Sequence, residues 1–298
     1  MKKKSFNHVG LVGRRGNPRV LDSLQRVRKM LEENGVEYVF ENDTALMLEM
    51  DNMATENRAD LGRICDLIVV VGGDGSILGV ARDLAHTGVP ILGINRGGLG
   101  FLADIAPNQI QRLGREVLSG QYRVEKHFLL DMNVRSNGKS AGASPALNDV
   151  IVNAGTMSRM MDFSLFVDDE FVYEQRSDGL IIATPTGSTA YSLSAGGPIM
   201  HPGLDAIVVV PMFPHTLTSR PLVVRGDSKI RVELGNVADT PMVSADSQVD
   251  FVLKAGDHVE IQKNPYPLNL AYPIGHSFFD ACRSKLDWAS RLGGGASS

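Results

Sequence analysis

From Asn7 to about residue 140 the chain alternates short apolar runs with stretches of helical spacing. HVGLVG at 8 to 13 reads as a strand, Pro18 to Asn34 as a helix and Glu37 to Phe40 as a second strand. Gly35 supplies the helix stop, and the β-branched and aromatic residues behind it restart extended structure. LIVVV at 67 to 71 is the next strand, Ser76 to His86, with apolar Ile77, Leu78, Val80 and Ala81, the next helix, and VPILGIN at 89 to 95 the strand after that. Strands and helices in alternation predict a doubly wound α/β domain on a parallel sheet.

From about residue 126 the pattern changes. LLDMNVRS, DFSLFVDDEFVYE, GLIIATPT, AIVVVPMF, PLVVRG, KIRVELG, DFVLKAGD and HVEIQK are short strands punctuated by Gly, Asp and Pro. They predict an all-β, sandwich-like second domain ending near 270. Phe278, Phe279, Cys282, Leu286 and Ala289 then return to helical spacing, as a C-terminal helix packing back on the first domain. The expected domains are residues 1–140, 141–271 and 272–298.

Composition narrows the class. Hydrophobic residues make up 43% and charged residues 21% of the 298, which excludes a disordered or fibrous chain. No apolar run approaches the roughly 18 to 20 residues of a membrane-spanning helix, and no signal-peptide pattern opens the chain, so a cytoplasmic protein is expected. Cys65 and Cys282 are too few for a disulfide framework or a four-ligand zinc site. The seven histidines form no ligand-spaced cluster. A net charge of -4 argues against nucleic-acid binding, so anionic ligands must be met by local arginines and backbone amides.

The chemistry concentrates where local rules break. Gly72, Gly73 and Gly75 surround one carboxylate, Asp74, between a buried strand and a helix start. Such glycines can mark only a turn. The same geometry also lets phosphates approach the backbone at a helix N-terminus, while the acid takes a proton from a hydroxyl or holds a cation. Asn148 and Asp149 precede another apolar strand, where the plain alternative is a turn. Arg176 and Asp178 lead into a strand that runs into TGSTAYSLSAGG, whose middle is Thr189, Ala190, Tyr191, Ser192, Leu193 and Ser194. That run is either a hydroxyl-rich helix cap or a sugar- and phosphate-binding loop with Tyr191 as a stacking face. SADSQVDF carries Asp246 and Gln248 in what reads as a hairpin turn. Arg14 and Arg15 follow the first strand as solvated or phosphate-facing residues, Arg159 lies between methionines that look like core or interface, and Met160, Met161 and Met200 hint at an interface. Walker A, GxGxxG and GxSxG patterns are absent, which disfavours P-loop enzymes, dinucleotide Rossmann domains and α/β-hydrolases.

GGDGS at 72 to 76, NRGGLGFLAD at 95 to 104, LND at 147 to 149 and TPTGSTAYSLSAGGP at 184 to 198, in that order, resemble the bacterial NAD kinases. The resemblance runs from about residue 7 to 280. GGDG alone is shared with diacylglycerol, sphingosine and 6-phosphofructokinases; the ordered set is specific. The resemblance implies transfer of phosphate from ATP to the 2′-hydroxyl of the adenosine ribose of NAD, with Mg²⁺ on the ATP phosphates, at a site between two domains, in a homodimer or homotetramer. It makes Asp74 the general base or hydroxyl-orienting acid, Gly75 a backbone contact and Phe101 a packing surface for adenine. Asn148 and Asp149 would contact a ribose and the nicotinamide side, and Thr189 to Ser194 would line the dinucleotide pocket. Arg159, Arg176, Asp178 and Gln248 fall where family members also contact the nucleotide. Replacing Asp74 by Asn should then cost about 10² to 10⁴ in rate while sparing NAD binding.

Two other readings stand beside this one. A lipid or sugar kinase would use the same GGDG turn, but would lack TGSTAY. A non-catalytic NADP(H) sensor would keep the pocket and dispense with Asp74.

Overall fold

The computed structural model describes residues 6–14, 16–48, 54–97, 100–103, 105–155, 160–235 and 240–288. The chain divides into two compact units, one drawn from residues 1–77, 89–125 and 269–298, the other from 78–88 and 126–268.

The first unit begins with β1 (His8–Gly13), α1 (Pro18–Glu33), β2 (Glu37–Glu41), α2 (Asn42–Leu48), β3 (Thr55–Glu56), α3 (Arg58–Ile64) and β4 (Leu67–Gly72). Helix α4 (Asp74–Leu84) follows, then β5 (Ile91–Asn95), α5 (Ile110–Leu118) and β6 (Tyr122–His127). Every residue of β4 is buried, as its unbroken LIVVVG requires of a central strand of a parallel sheet. β1 and β5 flank it in parallel, within the strand order β3-β2-β1-β4-β5-β19-β6, where β19 is Leu268–Pro273. Helices α1 and α5 bury Val20, Leu24, Val27, Leu31, Ile110 and Val117 in the same core as Leu67, Val69 and Val71.

The second unit holds β7 (Leu130–Ser136), β8 (Lys139–Ala146), β9 (Asp149–Asn153), β10 (Met161–Val167), β11 (Glu170–Ser177) and β12 (Gly179–Ala183). After α6 (Tyr191–Ser194) come β13 (Ala206–Met212), β14 (Leu222–Arg225), β15 (Ile230–Leu234), β16 (Met242–Ala245), β17 (Val249–Val252) and β18 (His258–Lys263). They form two antiparallel sheets, β11-β10-β15-β18-β7-β8 and β14-β13-β12-β9-β16-β17. One core joins Met132, Phe163, Val232 and Ile261 of the first sheet to Val152, Ile182, Val209 and Val243 of the second, which makes the unit a β-sandwich. The first sheet keeps strict alternation, with every second residue of β15 buried. In the second sheet the other face is covered too, by a smaller cluster of Ile151, Ile181, Ala183, Met200, Val208 and Val210, so β12 and β13 are apolar throughout and β9 is apolar between Asp149 and Asn153 at its ends.

Two expectations change. The division falls between Glu125 and Lys126 rather than at 140, because β7 and β8 form a hairpin inside the sandwich. It also passes through α4, whose first turn belongs to one unit and whose remainder belongs to the other. The C-terminal segment does return to the first unit, though by a strand as well as by helix α7 (Phe278–Lys285): β19 pairs with β5 through Leu270 and Ile91. Of the three methionines expected to hint at an interface, Met161 and Met200 are core, 2% and 4% exposed, and Met160 is 39% exposed. Both cysteines are buried, and burial pushes the Cys65 thiol up to about 12, which keeps it an unreactive core residue.

Candidate active site

The expected residues fall into groups within each unit. In the first, β4 ends at Gly72 and α4 starts at Asp74, so the acid stands at the carboxyl end of a central parallel strand, where open α/β sheets bind ligands. Its carboxylate accepts three successive backbone N–H groups: Phe101 at 2.5 Å, Leu102 at 3.1 Å and Ala103 at 3.3 Å. Gly100 is required here, since a Cβ on it would lie 2.4 Å from Asp74 Oδ1. Arg96, earlier in the same loop, donates to Ser23 Oγ and pairs with Asp22 of α1. The loop is thus tied to α1 at one end and to Asp74 at the other. Gly75 is exposed at the helix start. Phe101 is half-buried; its ring lies 6.5 Å from that of Phe278, and Lys285 Nζ sits 5.2 Å above it, both from α7. Arg14 is exposed and Arg15 lies outside the described residues.

In the second unit, β9 pairs with β12 so that Asp149 faces Ala183, and β16 pairs with β9 so that Ala245 faces Val150. One end of this sheet therefore gathers Asn148, Asp149, the loop after Ala183 and the β16–β17 turn carrying Asp246 and Gln248. The loop and the Asn148 segment touch through backbone: Thr184 N–H donates to Asn148 O at 2.9 Å and Thr184 Oγ1 to Leu147 O at 2.6 Å. Gly187 packs so closely that a Cβ would lie 2.0 Å from Asn148 O. Asp149 is 3% exposed; burial first, and then the Asp246 carboxylate, push it up to about 7. Burial raises Asp246 as well, against the lowering pull of its backbone hydrogen bonds and of Arg82. Arg82 Nη1 also donates to Gln248 Oε1 at 3.1 Å.

The hydroxyl-rich loop divides its work. Ser188 Oγ donates to Pro185 O at 2.6 Å and accepts Met200 N–H at 2.9 Å, and Thr189 Oγ1 donates to Thr186 O at 3.1 Å, so these two serve the loop itself. Tyr191 is 44% exposed, a face free to stack. Ser194 is exposed, Ala190 and Leu193 are half-buried, and the fully buried Ser192 Oγ has no hydrogen-bond partner among the described residues. Thr184 opens the TPTGSTAY run without its tie to the Asn148 segment being legible there, and His127, whose Nδ1 lies 2.8 Å from Thr186 Oγ1, falls in no motif, because a lone buried polar residue carries no sequence signal.

Arg176 and Asp178 do not join this group. They lie at the Gly179 end of β12, four residues or about 13 Å along the strand from Ala183. Arg176 is exposed, 3.8 Å from Asp162, and Asp178 N–H donates to Met212 O. Arg159 lies outside the described residues. Among the described residues no group of three or more His, Cys, Asp or Glu could hold a metal ion, and no helix is long and apolar enough to cross a membrane.

Two family models match the chain, the ATP-NAD kinase N-terminal domain over residues 9–122 and the ATP-NAD kinase C-terminal domain over residues 147–272. The NAD kinase of Marinobacter nauticus is 51% identical over 96% of this chain and 98% of its own length. That of Pseudomonas aeruginosa is 52% identical over 97% and 99%. Yeast NADH kinase complexed with NADH superposes with a TM-score of 0.88 at 25% identity, over 98% of this chain and 91% of its own. An NAD kinase from Archaeoglobus fulgidus in complex with ATP superposes with a TM-score of 0.76 at 26% identity, over 94% and 98%.

Proposed function

The chain belongs to the ATP-NAD kinase family and its activity is that of an NAD kinase; we propose that Asp74 orients the acceptor hydroxyl and takes its proton. In this reaction the 2′-oxygen of the adenosine ribose forms a bond to the γ-phosphorus of ATP, the bond to the bridging oxygen breaks, ADP leaves and the hydroxyl proton passes to the carboxylate. The observation that supports Asp74 is its fixation by three backbone N–H groups. A carboxylate offers about four acceptor directions, so one remains for a substrate hydroxyl, and the group needs no reorganisation to meet it.

For the dinucleotide we assign Asn148, Asp149, Tyr191 with its neighbours in 189–194, and Gln248, because the fold of the second unit brings them to one sheet end. Phe101 and Gly75 are assigned to the nucleotide at Asp74. Arg176 and Asp178 form a separate group, assigned to a more distant part of a bound nucleotide. Mg²⁺ is assigned to the ATP phosphates; among the described residues no cluster of three or more His, Cys, Asp or Glu stands ready to hold it. A homodimer or homotetramer remains part of this proposal on the strength of the family resemblance.

The test is to incubate the purified protein with NAD, ATP and Mg²⁺ and to quantify NADP by mass spectrometry, beside Asp74→Asn. NADP should form and should fall sharply in the variant. An undiminished rate in the variant removes Asp74 from its role; no NADP from either protein removes the activity.

A further inference from the structure

The turn between β16 and β17 spans Asp246, Ser247 and Gln248, and its first two residues, bridged by Gln248 N–H donating to Ala245 O at 3.0 Å, are left-handed: Asp246 at φ 53° and Ser247 at φ 52°. Such turns suit the right-handed twist of a hairpin, and they are ordinarily filled by Asn-Gly or Gly-Gly because side chains resist this backbone. An aspartate and a serine held there call for a reason beyond chain reversal.

Asp246 supplies one. Its side chain is buried, 6% exposed, and accepts the N–H groups of Leu147 at 2.9 Å, Asn148 at 2.7 Å and Asp149 at 3.2 Å. Its own N–H donates to Asp149 O at 2.9 Å. From the other side Thr184 takes up the carbonyls of Leu147 and Asn148, at 2.6 Å and 2.9 Å. The peptide groups of three consecutive residues are therefore clamped from both sides, and no freedom is left in the backbone that aims the Asn148 and Asp149 side chains. Hydrogen bonds to an ionised acceptor are roughly twice as strong as neutral ones, so the carboxylate is the firmer half of the clamp.

We propose that Asp246 is a positioning residue for NAD binding: by taking the three N–H groups of Leu147 to Asp149 it fixes the direction in which Asn148 and Asp149 meet the dinucleotide. It touches no substrate itself. The proposal rests on the assignment of Asn148 and Asp149 to NAD.

Steady-state kinetics on Asp246→Asn, Asp246→Ala, Ser247→Gly and Asn148→Ala separate the possibilities, with circular dichroism and thermal melts to certify folding. Asp246→Asn keeps one acceptor oxygen in place and should raise KM for NAD about tenfold, with Asp246→Ala higher still, since small misplacements of binding groups are costly. KM for ATP and kcat should change less than about threefold, a split that general loss of structure does not produce. Ser247→Gly relieves the left-handed strain without touching the carboxylate and should leave every kinetic constant unchanged. Where the Ala variant does not fold, the Asn variant decides. If Asn148→Ala raises KM for NAD and Asp246→Asn does not, the positioning role fails. If Asn148→Ala also leaves it unchanged, the assignment beneath it fails.

Discussion

At the scale of single residues, two carboxylates act in the same way, each gathering three successive backbone N–H groups of a loop. For Asp74 this alters the expectation drawn from sequence. Because the acid holds Phe101 to Ala103, Asp74→Asn turns an amide donor toward N–H groups and loosens the loop that carries Phe101. The variant should lose about 10² to 10⁴ in kcat and should also raise the KM for a nucleotide substrate, where a pure proton acceptor would leave KM alone; initial-rate measurements at varied NAD and ATP check this. Asp149 makes a thermodynamic prediction. Its carboxyl titrates near 3.8 when unfolded and about 7 in the fold. Between those values the unfolded chain gives up a proton that the folded chain keeps, so this group's contribution falls as pH rises through the window and is level above it, a change on the order of 4 kcal/mol at most. Asp149→Asn removes the titration. Urea unfolding should show wild type gaining on the variant at pH 5 relative to pH 8; an equal difference at both would mean that Asp149 is not buried as a neutral acid.

At the scale of elements, the strands with strong patterns were legible and those without were not. LIVVV, AIVVVPM and KIRVEL declared themselves by unbroken or alternating apolar residues, and the hairpin in DFSLFVDDEFVYE turns at Asp168 and Asp169, both left-handed. Strand β8, KSAGASPA, has no apolar alternation and exists because β7 pairs with it from Leu130↔Ala146 to Ser136↔Lys139. The Asn137-Gly138 turn between them, at φ 49° and 76°, is a hairpin signal that sequence did offer. For the site, motifs identified residue types, but neither the bonds of Asp74 to the following loop nor the distance between Arg176 and Asn148 could be read without strand pairing. The loop after β12 shows the division between support and function: Ser188→Ala removes a hydroxyl that ties Pro185 to Met200 in a fully buried setting, leaving Met200 N–H unsatisfied. It should cost about 1 to 3 kcal/mol of stability, read by chemical denaturation, with KM for both substrates little changed in the folded enzyme. A large KM effect with intact stability would make Ser188 part of the binding surface instead.

At the scale of the molecule, the groups proposed for the chemistry stand at the ends of two kinds of sheet, and the sheets differ in how firmly they hold those ends. In the second unit, β9, β12 and β13 are buried on both faces, by the sandwich core on one side and by the cluster around Met200 on the other. β10, β15 and β18 are buried on one face only, and the edge strands β14 and β17 are half-exposed along their length. Asn148 and Asp149 sit at the end of β9, and the loop with Tyr191 continues from β12, so the proposed binding groups hang from the best-covered strands. Local opening costs most where apolar contacts and sheltered hydrogen bonds are densest. Hydrogen exchange followed by mass spectrometry should therefore find peptides of β9, β12 and β13 slowest within this unit, β10, β15 and β18 intermediate, and β14 and β17 fastest. If β18 outlasted β12, the smaller cluster would contribute little to rigidity, and the precision of the site would have to come from the Asp246 and Thr184 clamp alone.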